Sequence, residues 1–133
     1  GPLLDRIDIQ IELQPVEKDK LMQKGDGETS AQIRERVEAA RKIQRDRFKN
    51  EPGIYCNAQM EKQHCDKYCN IAEKASELLD DAMVKLQLSA RAYVKILKLS
   101  RTIADLDNSE TVEWKHMKQA LSYRNLDRAT WAK

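Results

Sequence analysis

At 133 residues the chain fits one compact domain with room for an extended arm. Its 41% hydrophobic and 5% aromatic content gives an aliphatic core, and 35% charged residues favour helices with salt-bridged faces. A charge of +2 neither demands nor forbids a nucleic-acid partner, while no apolar run approaches the roughly 20 residues of a membrane helix.

The first thirteen residues carry a strand signal, with Ile7, Ile9, Ile11 and Leu13 alternating with Asp8, Gln10 and Glu12. A lone strand leaves its backbone groups unpaired. Nothing later in the sequence reads as its neighbour, so the strand is expected to belong to a longer protein. A polar connection with Gly25 and Gly27 follows from Pro15 to Thr29. Residues 1–28 therefore read as a strand-bearing arm with a linker, and residues 29–133 as a helical domain.

Thr29 or Ser30 caps the first expected helix, with Gln32 in capping-box spacing from Thr29. It runs to about Phe48 and should bury Ile33, Val37, Ala40 and Phe48 before Asn50, Pro52 and Gly53 stop it. Between Ile54 and Asn70 a short helix is expected, capped by Asn57 and carrying Met60, Cys65 and Tyr68 or Cys69. The next helix spans Ile71 to about Leu86, with Ala75, Leu78, Leu79, Ala82, Met83 and Leu86 on one side. Ser89 caps another that reaches Leu106 and buries Tyr93, Ile96, Leu97, Ser100, Ile103 and Ala104. After a turn at Asp107, Asn108 and Ser109, a last helix covers Trp114 to Tyr123, with Val112 placed to staple onto Met117. The sum is an all-α bundle of four or five helices, each with one apolar stripe that must pack on the others.

Most enzyme signatures are missing. Neither Gly25-Asp26-Gly27 nor Gly53 leads into a phosphate-binding Gly-Lys-Ser/Thr, and there is no His-Glu-x-x-His or Gly-x-Ser-x-Gly. Cys56, His64, Cys65 and Cys69 lie close in sequence, but without paired knuckles. Their odd number and close spacing suit reduced thiols packed in a core, so no metal is expected and the chain reads as cytosolic.

Basic residues are the better candidates. Between Ser30 and Lys49 seven cations face three anions, and Arg34, Arg41 and Arg45 fall on one flank suited to a phosphate backbone. A solvated face with intrahelical ion pairs is the competing account. Arg91, Lys95 and Lys98 lie opposite the apolar stripe of their helix. Arg91 stands in the first turn, where the helix dipole disfavours a cation unless an anion is shared.

Several segments match a known family in order. They are Gly1-Pro2-Leu3-Leu4-Asp5-Arg6-Ile7-Asp8, Ser30-Ala31-Gln32-Ile33-Arg34-Glu35-Arg36-Val37 and Cys56-Asn57-Ala58-Gln59-Met60. Leu88-Ser89-Ala90-Arg91-Ala92-Tyr93, Arg101-Thr102-Ile103-Ala104-Asp105-Leu106 and Ala120-Leu121-Ser122-Tyr123-Arg124 complete the set. Together they resemble the C-terminal portion of the magnesium-chelatase-like AAA+ family of ComM/YifB type. The resemblance implies a helical lid preceded by a strand from the ATPase core. By it, Arg6 resembles an arginine finger acting on a neighbouring subunit's nucleotide, and Arg91 resembles sensor 2, touching ATP phosphates.

The resemblance further implies that ATP and Mg2+ belong to the full-length parent, with no cofactor or hydrolysis expected of the fragment alone. It implies a homo-oligomeric ring, expected as a hexamer, acting as a DNA-dependent branch-migration motor. Two other readings stand beside it. One is an independent helical binding module for nucleic acid or a protein partner, the other a magnesium chelatase ATPase subunit.

Overall fold

The structure, a computed structural model, describes Ile9 and residues 27–123. Five helices follow in chain order: α1 Ser30–Arg47, α2 Lys62–Tyr68, α3 Glu73–Lys85, α4 Ala90–Leu106 and α5 Trp114–Ser122. A single 3-10 turn, Asn57–Gln59, lies between α1 and α2. The described residues thus form the all-α bundle that the apolar stripes require. Apart from Ile9, the strand signal at residues 7–13 lies outside the described residues. So does the linker up to Asp26.

Capping sets the start of α1. Thr29 Oγ1 accepts the Gln32 N–H at 3.1 Å while Gln32 Oε1 accepts the Thr29 N–H at 2.9 Å, a reciprocal box that satisfies two otherwise orphaned donors. The expected apolar face is only half correct. Ala40 and Phe48 are buried, but Ile33 and Val37 remain 43% and 38% exposed, and buried Gln44 takes a place on the covered face. The reason is geometric: α1 packs chiefly on α4, and every residue from Ser30 to Ala39 is exposed. Periodicity defines a face, but not how far along it a neighbour reaches.

Helix α4 is the central element. It buries Ala92, Ile96, Leu97, Ser100, Arg101, Ile103, Ala104 and Asp105, and it begins at Ser89, whose Oγ accepts the Ala92 N–H at 3.1 Å. Helices α3 and α5 pack on each other, and α5 packs on α4. Leu79, Ile96, Val112 and Met117 are at most 2% exposed, each contributing roughly 1.5–3 kcal/mol by burial. Val112 and Met117 flank the Glu113 cap as a hydrophobic staple, as the spacing predicts.

Three local features depart from the sequence reading. Helix α3 begins at Glu73, because Ile71 pairs with Val112 in an isolated parallel bridge: the Ala72 N–H donates to Val112 O at 2.9 Å and the Val112 N–H to Asn70 O at 2.7 Å. Asn57 does not cap α2; it is 1% exposed in the 3-10 turn. Glu61 caps α2 instead, in a box with His64, and Glu113 caps α5 the same way with His116. In both boxes the histidine Nδ1 accepts the glutamate N–H at 2.9 Å.

Candidate functional site

The cation at the start of α4 is where the sequence puts it. Arg91 is exposed in the first turn after Ser89 and has no hydrogen-bond or ion-pair partner among the described residues. A guanidinium there opposes the helix dipole at a cost of about 0.3–1 kcal/mol. Beside the Ala90 and Arg91 N–H groups that the Ser89 cap leaves over, it forms an arrangement suited to an anion. The other two members of that charge stripe differ. Lys98 is half-buried and donates to Ala58 O at 3.1 Å, so it ties α4 to the 3-10 turn. Lys95, also half-buried, lines a cavity of about 250 Å3 with Ile9, Ala58, Leu99 and Thr102. Arg6, the expected arginine finger, lies outside the described residues.

On α1 the basic residues divide by use. Arg34, Arg41 and Arg45 are exposed and carry no ion pair among the described residues. Arg36 pairs with Glu28 through both terminal guanidinium nitrogens. Arg47 is largely withdrawn from the surface. It turns inward as a bidentate partner of Asp105, at 2.8 and 2.6 Å. Arg41 and Arg45 border a groove of about 610 Å3 between α1 and α4, which also meets Val37, Tyr55, Thr102 and Leu106.

The cysteines and the histidine each have other neighbours. Cys65 is 2% exposed in the core, and Cys69 stands one turn later, its N–H donating to Cys65 O at 2.9 Å. A thiol–thiol hydrogen bond holds Cys65 below the ordinary thiol range and Cys69 well above it, with burial pushing Cys69 further up. A thiol so raised is neither a nucleophile nor a ready ligand. His64 has its Nδ1 committed to the Glu61 N–H and its Nε2 3.7 Å from Glu51. Among the described residues no three His, Cys, Asp or Glu side chains gather in a way that could hold a metal ion.

Sequence reasoning missed the buried polar centre that positions everything else. The Asp105 carboxylate, with no exposed side-chain area, accepts from both terminal nitrogens of Arg47, from Asn57 Nδ2 at 2.8 Å and from Arg101 Nε at 3.2 Å. Asn57 also receives an Arg47 N–H at 2.9 Å, donates to Thr102 Oγ1 at 3.0 Å, and gives its backbone N–H to Gln44 Oε1 at 2.9 Å. Arg101 reaches on to the carbonyls of Ser109 and Glu110. Burial pushes the Arg101 guanidinium below its ordinary value, and the Asp105 charge pulls it back. The network joins α1, the 3-10 turn, α4 and the turn after α4. The i, i+4 spacing of Arg101 and Asp105 was the one available sequence signal, and it reads equally well as a surface pair.

Residues 27–124 match the family described as magnesium chelatase, subunit ChlI C-terminal. The chain is 41% identical over 129 residues to the competence protein ComM of Haemophilus influenzae. It is 37% identical over 129 residues to the uncharacterized protein YifB of Salmonella typhimurium and 35% over 130 residues to that of Escherichia coli. Each alignment covers 96% of this chain but only 24% of the relative, so the chain spans about a quarter of the length of the proteins it matches. No helix among the described residues is long and apolar enough to cross a membrane. With the family match extending over every described helix and ComM/YifB-type relatives aligned along nearly the whole chain, this protein belongs to the magnesium chelatase ChlI C-terminal family.

Proposed function

We propose that the chain is the helical lid and arginine-finger portion of an AAA+ ATPase that assembles as a homo-oligomeric ring and moves on DNA in the cytoplasm. The observation that carries this reading is Arg91, exposed and unpaired among the described residues at the start of the best-anchored helix. A helix holding an unpaired guanidinium at its N-terminal end suits the phosphates of a nucleotide bound elsewhere in the ring. ATP and Mg2+ belong to the parent protein, where bound nucleotide supplies the phosphoryl-transfer chemistry. This chain's own contribution is to bring Arg91 to the phosphates and Arg6 to the neighbouring subunit's site. Likeness to a protein named for competence supports the DNA end of the reading, as do exposed Arg34, Arg41 and Arg45.

The test is made in a parent protein that contains the nucleotide-binding half. Arg6→Ala should keep nucleotide binding and lose most turnover, by about 10³-fold or more. Arg91→Ala should weaken the response to the γ-phosphate while leaving the thermal midpoint in place. Unchanged turnover removes the finger assignment, and an intact γ-phosphate response or a collapsed midpoint removes the Arg91 assignment.

A further inference from the structure

We propose that the groove between α1 and α4 binds single-stranded nucleic acid, with a base stacked on Tyr55 and flanking phosphates held by Arg41 and Arg45. The proposal rests on the reading that this protein works on DNA, and it names where and in what form the strand is held. Its starting point is an anomaly. Tyr55 is 70% exposed, and neither its ring nor its hydroxyl has a partner among the described residues. By contrast, Phe48 is 2% exposed and stacks edge-on against Tyr68 at 5.3 Å.

The backbone that carries Tyr55 is nevertheless held in place. Its N–H donates to Gln59 Oε1 at 2.7 Å, the preceding Ile54 N–H donates to Glu51 O at 3.2 Å, and Gly53 makes the turn at φ +80°. An aromatic ring facing solvent from an anchored backbone is what an unpaired base needs, since every base offers a face to stack on. The surroundings supply the complementary charge. Arg41 and Arg45 line the same groove as Tyr55, no carboxylate lines it, and neither arginine is engaged by an ion pair among the described residues. The Asp105 charge is hidden behind it, satisfied by Arg47 and Arg101, so the groove presents positive charge alone.

A duplex keeps its base faces stacked inside and would meet only the arginines. An acidic peptide would use the arginines but gain little from the ring. The ring therefore favours a single strand.

The experiment is fluorescence anisotropy with a labelled oligothymidylate and a labelled blunt duplex, at low salt, using the full chain and Tyr55→Ala, Tyr55→Phe and Arg41→Gln/Arg45→Gln variants. Tyr55→Ala should weaken oligothymidylate binding by roughly 5- to 150-fold. Tyr55→Phe should bind like the native protein, and duplex affinity should hardly change in either. The double arginine variant should weaken both ligands and lower the salt dependence of oligothymidylate binding by about 1.4 in log–log slope. Oligothymidylate affinity that is indifferent to Tyr55→Ala, with duplex binding still dependent on the arginines, overturns the stacking site and leaves the DNA reading standing. Absence of binding to either nucleic acid overturns both the site and this chain's share in DNA contact. Polyglutamate competing as well as oligothymidylate, with Tyr55→Ala without effect, assigns the groove to an acidic protein segment and overturns the proposal.

Discussion

Replacing Asp105 by Ala should be among the most damaging single changes in the molecule. Its carboxylate is wholly buried and is, among the described residues, the only acid in contact with Arg47 and Arg101, whose side chains are 13% and 2% exposed. Removing it leaves two guanidinium groups facing each other without a counter-charge. Breaking one partner out of a buried pair costs about 3–5 kcal/mol. Domains of this kind have a total stability of only about 5–15 kcal/mol. At roughly 4–8 °C per kcal/mol, the thermal midpoint should fall by about 12–40 °C. Far-UV circular dichroism during heating and urea titration measures this directly. Asp105→Asn should act in the same direction, since it keeps the shape but removes the charge. The decisive comparison is the Arg47→Met/Asp105→Ala double variant. With one of the stranded charges gone, it should lose less than the sum of the single changes, by about 0.5–3 kcal/mol. A loss under about 1 kcal/mol for Asp105→Ala, or strict additivity in the cycle, would refute the claim that this network holds the bundle together.

Three further outcomes follow from particular contacts. Glu51 is held below its ordinary value by hydrogen bonds from Tyr68 and Lys67, and Asp107 by those from His116 and Lys115. Their stabilisation is complete above the unfolded carboxylate range and is lost as pH falls through the lower folded values. Stability should therefore decline from about pH 5 downward, and Glu51→Gln/Asp107→Asn should flatten that decline in urea midpoints measured against pH; parallel curves would contradict this. His64 and His116 should both appear as the Nε2–H tautomer in long-range proton–nitrogen correlation spectra of the neutral rings, because each Nδ1 accepts a backbone N–H; an Nδ1–H signal would break the two capping boxes. Gln87 ends α3 in the left-handed region at φ 50°, so Gln87→Gly should add about 0.5–1 kcal/mol, read as a higher urea midpoint at unchanged slope.

What was legible in the sequence is what is decided over short distances. The caps at Thr29 and Ser89 act on residues three positions away, so their helix starts follow from the local pattern. Asn57 has the chemistry of a cap, but it is used for contacts with Thr102 and Asp105, far along the chain. The same amide can close a helix end or bridge two helices, and nothing local decides between them. The Ile71–Val112 bridge is a single pair with no strand around it, so it leaves no alternation to read. Exposed Ile33 and Val37 fail for the opposite reason: the stripe is present, but α4 does not extend beneath it.

The same division explains the arginines. Counting charges from Ser30 to Lys49 gives seven cations, but not that Arg47 is spent on Asp105 and Arg36 on Glu28. Two of the family-like segments also find their explanation inside the molecule. Cys56-Asn57-Ala58-Gln59-Met60 supplies the buried Asn57 and Met60, and Arg101-Thr102-Ile103-Ala104-Asp105-Leu106 supplies the ion network that Asn57 joins. In Leu88-Ser89-Ala90-Arg91-Ala92-Tyr93, Ser89 caps the helix and Ala92 enters the core, yet the Arg91 guanidinium has no hydrogen-bond or ion-pair partner among the described residues. It stands at the helix end that disfavours its charge by about 0.3–1 kcal/mol. Folding offers no reason for a cation there, and a bound anion does. That contrast between used and unused arginines is the strongest physical support for assigning Arg91 to a phosphate.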